Sequence, residues 1–359
     1  MDRYGSIANE IKGDCGMNDM AVPAAFRSRW LGAPLANLPP DLPPLLLVVI
    51  DTEEDFDWTL PFDRNATGTQ SIQSQNLAQH IFDRYSIRPT YVVDYPVAAT
   101  AKAAPTLRRF LDEGRCQIGT HLHPWVNPPH DETVSQRNSY PGNLEPSLER
   151  RKLEALTAAI ESAFGVRPVL YKAGRYGLGA ASSEILQDLG YEVDLSIVPH
   201  TSFAGDHGPD FVGLPDRPFW FGEKNSLLAI PLSRGFVGLA RRCGPALHLS
   251  LTSPLAARFH LAGIAARTGM LERITLSPEG FTLDEQCRLA RALVAGGHKV
   301  FSLTYHSPSL TPGNTPYVRT ERDLDIFLKN IEGFVRFFLE ELGGRPSTPM
   351  EIKRIASAP

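Results

Sequence analysis

Cysteine is scarce and scattered in this chain. There are four in 359 residues, Cys15, Cys116, Cys243 and Cys287, and none forms a C-x-x-C pair. A disulfide-stapled scaffold and a thiolate zinc site are therefore not expected. No uninterrupted apolar run approaches the roughly 18 residues a membrane helix needs. The opening stretch, Met1 to Ile11, carries Asp2, Arg3 and Glu10 and lacks the apolar core of a secretory signal. Neither charge predominates: 36 Lys and Arg stand against 40 Asp and Glu, a net charge of −4. That disfavours binding to nucleic acid or to an anionic membrane through global charge and leaves room only for a local patch. These absences describe a reduced, cytoplasmic, soluble protein with no nucleic-acid partner and no membrane span. What remains is an ordinary globular composition, 42% hydrophobic and 21% charged. The length suits one large α/β domain or two medium ones.

Residues 1–44 read as an arm or lead-in, in which Pro34, Pro39, Pro40, Pro43 and Pro44 forbid a regular helix. The run Leu45 to Ile50, ending at Asp51, predicts a strand buried on both faces. A strand–helix alternation follows. Strands are expected over Pro89 to Val93, Cys116 to Gly119, Pro168 to Tyr171, Tyr191 to Val193, Leu227 to Pro231, Leu271 to Leu276 and Lys299 to Thr304. Helices are expected over Ser71 to Tyr85, Pro105 to Glu113, Ser147 to Phe164, Ala180 to Leu189, Pro254 to Thr268 and Leu283 to Ala295. A last helix keeps a 3.6-residue period from Leu324 to Leu339 and is stopped by Gly343 and Gly344. Such alternation means parallel pairing with right-handed crossovers, and about seven units point to a barrel. The polar, proline-rich stretch from Asn127 to Asn143 reads as a long loop, functional or disordered.

Titratable groups gather just after predicted strands, where parallel α/β architectures build their sites. The first cluster, Asp51-Thr52-Glu53-Glu54-Asp55-Phe56-Asp57-Trp58, places five carboxylates in seven residues. On an extended segment Asp51 and Glu53 face one side, where they would bind a cation or raise each other's pKa; a solvated acidic loop is the alternative. In the second, Gly119-Thr120-His121-Leu122-His123-Pro124-Trp125, H-x-H offers two imidazoles on one face, a common donor pair for zinc. The third, Tyr171-Lys172-Ala173-Gly174-Arg175-Tyr176-Gly177, is a glycine-flanked turn with two cations, either of which could keep a carboxylate ionised. The fourth ends an apolar strand in Tyr305-His306-Ser307-Pro308, a position suited to a general acid or base. Asp194 marks a weaker rim position. The set suggests metal-assisted hydrolysis.

Taken in order, these motifs resemble the polysaccharide deacetylase superfamily. The resemblance implies an α/β fold, a distorted (β/α) barrel of about seven parallel strands over residues 45–342, followed by a tail at 343–359. It implies an Asp base, an acid–His–His divalent metal site and a His general acid. The family's aspartate pair, with its D-x-E variant, is matched by I-D-T-E-E-D, which makes Asp51 the base and Glu53 the acidic ligand. The H-[ST]-x-x-H motif is matched by I-G-T-H-L-H-P-W, giving His121 and His123. Trp125 stands where the family has its second histidine, so the site has either shifted to His123 or been lost; His130 and Asp94 are alternative ligands. The arginine motif is matched loosely by Y-K-A-G-R-Y-G, where Lys172 or Arg175 takes the role. Arg175 is favoured because a guanidinium makes a paired bond to a carboxylate. The motif L-x-x-H is matched by S-L-T-Y-H and gives His306.

The activity so implied is a carbon–nitrogen (non-peptide) hydrolase that removes acetyl groups from an N- or O-acetylated sugar or polysaccharide precursor. Its cofactor would be a divalent metal, zinc first, with cobalt, nickel or manganese as alternatives. Arg175 would hold Asp51, and the Tyr176 backbone N–H would help stabilise the oxyanion. Trp58, Trp125 and Trp220 are placed in loops, where they would stack on sugar rings or pack as lids over the barrel. Two other readings stand beside it. One is a metal-independent amidohydrolase acting on a ureide or cyclic amide, motivated by Trp125. The other is a non-catalytic carbohydrate-binding barrel.

Overall fold

Every residue of strand β1 (Leu45–Thr52) is buried, which requires both faces of its sheet to be covered. The computed structural model describes residues 29–356; Cys15 and the stretch from Met1 to Ile11 lie outside them. β1 pairs in parallel with β2 (Thr90–Val93) on one side and β10 (Val300–His306) on the other. The sheet continues in parallel through β3 (Gln117–Leu122), β4 (Leu170–Ala173), β5 (Val193–Asp194) and β7 (Leu227–Ala229). It ends at β6 (Phe219–Phe221), antiparallel to β7. Seven parallel strands in the order β10-β1-β2-β3-β4-β5-β7 form a curled half-barrel, as the alternation predicts.

Helices cover the outside: α1 (Gln75–Arg84), α2 (Tyr95–Ala99), α3 (Ala104–Asp112), α4 (Pro146–Phe164) and α5 (Ser182–Asp188), then α9 (Leu283–Ala295) and α10 (Glu321–Arg336). α9 and α10 each begin with a capping box, Thr282 with Glu285 and Thr320 with Asp323, which satisfies two otherwise unpaired N–H groups at each start. Between the β7 and β10 sides of the sheet runs the segment 230–233. Leu232 N–H donates to the Ile197 carbonyl at 2.9 Å, and the Ser233 hydroxyl accepts from Ser302 N–H at 2.9 Å.

The sequence reading departs from the structure in four places. The strand expected over Leu271 to Leu276 is β9 (Glu272–Thr275), and it lies outside the parallel sheet, in an antiparallel pair with β8 (Arg234–Val237). β8 is too short and too polar at its start to register as a strand. The single helix expected over Pro254 to Thr268 is two, α7 (Pro254–Arg258) and α8 (Leu261–Arg267), separated at His260 with φ 53°; α6 (Gly244–Leu251) precedes them. The end of the chain is no loose tail over its described part: β11 (Arg345–Pro346) adds to β1, and α11 (Pro349–Ile355) buries Ile352. The expected arm is tied down from residue 29 onward, with Trp220 N–H donating to the Pro34 carbonyl at 2.9 Å and Ala36 N–H to Pro218 at 2.8 Å.

Side-chain alternation along the strands places the site. Leu46, Val48 and Ile50 belong to the cluster under the helices, whereas Leu45, Leu47 and Val49 join Val92, Leu170, Val193 and Val300 in a second one. That second cluster is the barrel interior, closed by Leu42 and Ile352. Two residues further along β1 from Val49 comes Asp51, after Leu170 comes Lys172, after Val92 comes Asp94, and Val300 is in phase with Thr304 and His306. With period two these all face the interior. The lumen is apolar at its base and polar at the strands' C-terminal ends.

Candidate active site

Register brings the polar groups together. Asp51 lies opposite His306 across the β1–β10 ladder, and His121 opposite Lys172 across β3–β4. The Asp51 carboxylate is buried and takes both of its bonds from Lys172 Nζ, at 2.5 and 2.8 Å. Burial alone would raise the Asp51 pKa; the Lys172 ammonium, with His121 and His306, reverses this and holds it below its ordinary value. His306 Nε2 is 3.6 Å from Asp51 Oδ2. Its Nδ1 is 2.8 Å from Glu279 Oε2, and its backbone N–H donates to Glu279 Oε1 at 3.0 Å. Burial would lower the His306 pKa, but Glu279, then Glu53 and Asp51, lift it to about 9. The imidazole is thus held as an imidazolium beside an ionised Asp51.

A second group adjoins the first. His121 Nδ1 lies 3.0 Å from the Lys172 carbonyl, and His123 Nδ1 lies 2.8 Å from Glu54 Oε2. The carbonyl contact assigns the His121 proton to Nδ1, and an ionised Glu54 does the same for His123, so that each Nε2 keeps a free lone pair. Both Nε2 atoms point at one oxygen, Glu53 Oε2, at 3.6 and 3.5 Å. Burial holds both imidazoles neutral, His121 well below its usual pKa and His123 at about 4. Glu53 Oε1 is buried and has no hydrogen-bond partner. Two neutral nitrogens and a carboxylate oxygen around a common point, with one oxygen left orphaned, form a donor set that fits a divalent cation such as zinc. Burial, together with Glu54, Asp51 and Asp94, pushes Glu53 well above its normal pKa, a crowding of carboxylates that a cation relieves. Glu54, Asp94 and His123 make an overlapping group. Glu54 and Asp94 are also the outer partners that orient His123: Glu54 N–H donates to Asp94 Oδ2 at 2.7 Å, and Asp94 caps α2 through Val97 N–H at 2.9 Å.

Local chemistry explains why these side chains sit where they do. A Cβ on Gly174 would stand 2.3 Å from the Leu122 carbonyl oxygen and 2.4 Å from His123 Cδ2, so only glycine lets β4's exit pass the His123 ring. The loop after His123 is ordered by Lys152, buried on α4, whose Nζ donates to the carbonyls of Pro124, Asn127 and Pro129 at 2.9, 2.6 and 2.7 Å. Glu53 N–H donates to the Ser307 hydroxyl at 3.0 Å, tying the first cluster to the last.

Several residues lie elsewhere than the sequence suggests. Arg175 does not reach Asp51. Its guanidinium bonds Ser139 and Asp206 and stacks over Tyr140, 4.1 Å from the ring centre. Being longer than Lys172 and set on the turn after β4, with φ 52°, it projects past the lumen. Trp125 is not a sugar platform: it is 2% exposed, its ring stacks on His123 at 4.3 Å, and its N–H donates to Glu54 at 2.9 Å. Trp220 is buried on β6 rather than placed in a loop. Trp58 does border the site, edge-on to His306 at 4.6 Å, with its indole N–H buried and unpaired. The Tyr176 ring lies 5.3 Å from Lys172 Nζ and stacks on Phe203. Asp194 serves a local turn, bonding the Ser196 hydroxyl at 2.6 Å. The acidic run divides: Asp51, Glu53 and Glu54 are buried, while Asp55 holds Ser71 N–H at 3.2 Å and Asp57 forms an exposed turn with Thr59. Glu279 escaped sequence reasoning. Its signal was the one that picked out the others, a polar group a few residues past an apolar strand, in Ser277-Pro278-Glu279.

No family model matches the chain, and no curated protein matches it. Solved structures resemble it at low identity. One is a family 4 carbohydrate esterase from Streptomyces lividans in complex with acetate, at 11% identity and TM-score 0.42, covering 89% of this chain and 99% of that one. Another is the Xyl-CE4 domain of a multidomain xylanase from the hindgut metagenome of Trinervitermes trinervoides, at 8% and 0.42, covering 87% and 90%. A third is the peptidoglycan deacetylase PdaC from Bacillus subtilis, at 11% and 0.40, covering 89% and 93%. Such likenesses say nothing of what this chain acts on.

Proposed function

We propose that this chain is a metal-dependent hydrolase that removes an acetyl group from an N- or O-acetylated sugar. One observation carries the proposal: two unprotonated imidazole nitrogens and an orphaned carboxylate converge in a lumen that also holds a cation-locked aspartate beside an imidazolium. The sugar as substrate class rests on the order of the motifs I-D-T-E-E-D, G-T-H-L-H and L-T-Y-H.

Glu53, His121 and His123 would hold the ion, which supplies Lewis acidity toward a carbonyl and toward water. The rest of the chemistry belongs to the chain. Asp51, kept ionised by Lys172, accepts a proton from the attacking water as its oxygen bonds to the acetyl carbon. His306, kept protonated by Glu279, gives its Nε2 proton to the leaving nitrogen or oxygen as the C–N or C–O bond breaks, releasing acetate and the free amine or alcohol. The two groups stand in opposite protonation states although 3.6 Å apart, because each has its own buried counter-charge. Trp58 supplies an apolar edge and a free N–H donor at the mouth.

The test combines metal content by mass spectrometry with acetate release from a panel of acetylated sugars. About one equivalent of divalent metal and chelator-sensitive acetate release are expected. Acetate release without metal would replace this reading with the metal-independent amidohydrolase, and glycan binding without turnover with a binding barrel.

A further inference from the structure

The insertion between β8 and β9 has a composition unlike the rest of the chain. Residues 239–271 contain no Asp or Glu in 33 positions, whereas the whole chain carries 40 in 359, a frequency that predicts three or four. The same stretch holds Arg241, Arg242, Arg258 and Arg267, all exposed. No described carboxylate pairs with any of the four; elsewhere about half of the described arginines form ion pairs, as Arg115 does with Asp83 and Arg288 with Glu272.

Its apolar side chains also face outward. Of fourteen exposed large hydrophobic residues among those described, eight fall between 239 and 270. Leu239 is 82% exposed, Leu255 72% and Phe259 60%, with Leu249, Ile264 and Met270 about half exposed. Leu249, Leu255 and Ile264 ride on α6, α7 and α8, and Leu239, Phe259 and Met270 on the segments that flank and join them; the three helices pack on one another and root on β8, where the Phe236 and His248 ring centres are 5.4 Å apart. A solvent-facing surface of this kind is normally covered. Leucine and phenylalanine interleaved with unpaired arginine, and no carboxylate at all, complement a surface that is apolar beneath and anionic above. Guanidinium groups also match phosphate in a paired geometry.

We infer that the helical insertion α6–α8 docks the protein on an anionic phospholipid membrane, with Leu255 and Phe259 entering the interface and the four arginines meeting lipid phosphates. This contact is peripheral, since no described helix is long and apolar enough to cross a membrane. It is independent of the hydrolase reading, and its test uses no activity.

The full chain is sedimented with vesicles of phosphatidylcholine alone, and of phosphatidylcholine with an equal part of phosphatidylglycerol. Binding is expected to the second and not the first, and to weaken as salt is raised. Replacing Arg241, Arg242, Arg258 and Arg267 singly with Ser should lower the partition coefficient about fivefold each. The double change Leu255→Ser, Phe259→Ser should lower it about tenfold or more, with the circular dichroism unchanged because both side chains are exposed. Equal binding to the two vesicle types, no binding to either, or unaltered binding by the arginine variants would overturn the inference. So would a concentration-dependent dimer in gel filtration that the Leu255→Ser, Phe259→Ser variant dissolves, since a second copy would then be what covers this face.

Discussion

Lys172 Nζ sits 2.5 and 2.8 Å from the two carboxylate oxygens of Asp51, a residue 121 positions earlier in the chain, and both side chains are buried. The pair joins β1 to β4 through the lumen, across the intervening β2 and β3. Its two halves depend on each other, because either left alone would be an uncompensated buried charge.

Lys172→Met should therefore do more harm than Arg175→Met. Losing the ammonium leaves the Asp51 pKa to burial, so it rises, and the acid limb of the pH–rate profile moves to higher pH. Denaturant unfolding should show a loss of about 3–5 kcal/mol for the single change, part of which Asp51→Asn restores in the double variant. Arg175→Met, which breaks a partly buried pair with Asp206, should cost less than Lys172→Met, about 1–2 kcal/mol, and leave the acid limb in place. A shift of that limb in Arg175→Met alone would return the counter-ion role to Arg175.

His121→Ala, His123→Ala and Glu53→Gln should each reduce bound divalent metal below stoichiometry, measured on the purified proteins by mass spectrometry. Asp51→Asn should keep the metal and lose nearly all turnover, since an amide cannot accept the water's proton. Turnover above roughly a tenth of the parent rate would rule Asp51 out as the base.

Gly174→Ala tests the approach of β4 to His123, a ligand in the proposed metal site. The new methyl would meet the Leu122 carbonyl oxygen and the His123 ring at 2.3 and 2.4 Å, so the ring must move. Metal affinity should fall about 10- to 100-fold, although the change touches no donor atom. Unchanged metal content would show that the backbone absorbs the methyl.

In the proposed mechanism His306 sets the alkaline side. Its folded-state pKa of about 9 exceeds the unfolded value of 6.5, so the stability it contributes is complete below pH 6.5 and is lost as pH rises through 9. The alkaline limb of turnover should fall in the same window. Glu279→Gln should move that limb to lower pH by about one unit or more, with metal content unchanged. His306→Ala should abolish the limb and slow amide substrates more than activated esters, whose leaving groups need no proton. Equal losses on both substrates would make His306 structural.

Glu149 gives a pH effect away from the site. It is buried on α4, bonded by the Ser182 hydroxyl, and burial lifts its pKa to about 8. Here the folded state holds the proton more tightly, so the stability linked to it is present below pH 4.5 and drains away as pH rises toward 8. Between pH 5 and pH 8 that drain is on the order of 1–3 kcal/mol. Glu149→Gln should flatten this part of the unfolding free-energy curve; a slope equal to the parent's would mean Glu149 is ionised when folded.

Much of this could be read from the chain alone, because it depends on local chemistry. The unbroken apolar run of β1, the 3.6-residue stripe of α10 and the glycines that follow the wider turn at its end are short-range patterns, and they announce parallel strands under helices. The placing of Asp51, His121 and His306 at the ends of strands, and of Glu53 and His123 just past them, follows from the same logic, since a strand's last inward-facing residues open onto the barrel mouth. Register and side-chain reach were decided only in three dimensions. Lys172 and Arg175 are three residues apart and carry the same charge, yet period-two alternation turns Lys172 into the lumen and a left-handed turn carries Arg175 past it. Trp125 reads as a sugar platform until His123 and Phe62 cover it. The Glu279 carboxylate, 27 positions from His306 and on a segment outside the parallel sheet, could be matched to its imidazole only once the segment at 230–233 brought β8 and β9 beside β10. Which imidazole nitrogen is free, and which carboxylate remains ionised, are set by neighbours that folding brings from far along the chain.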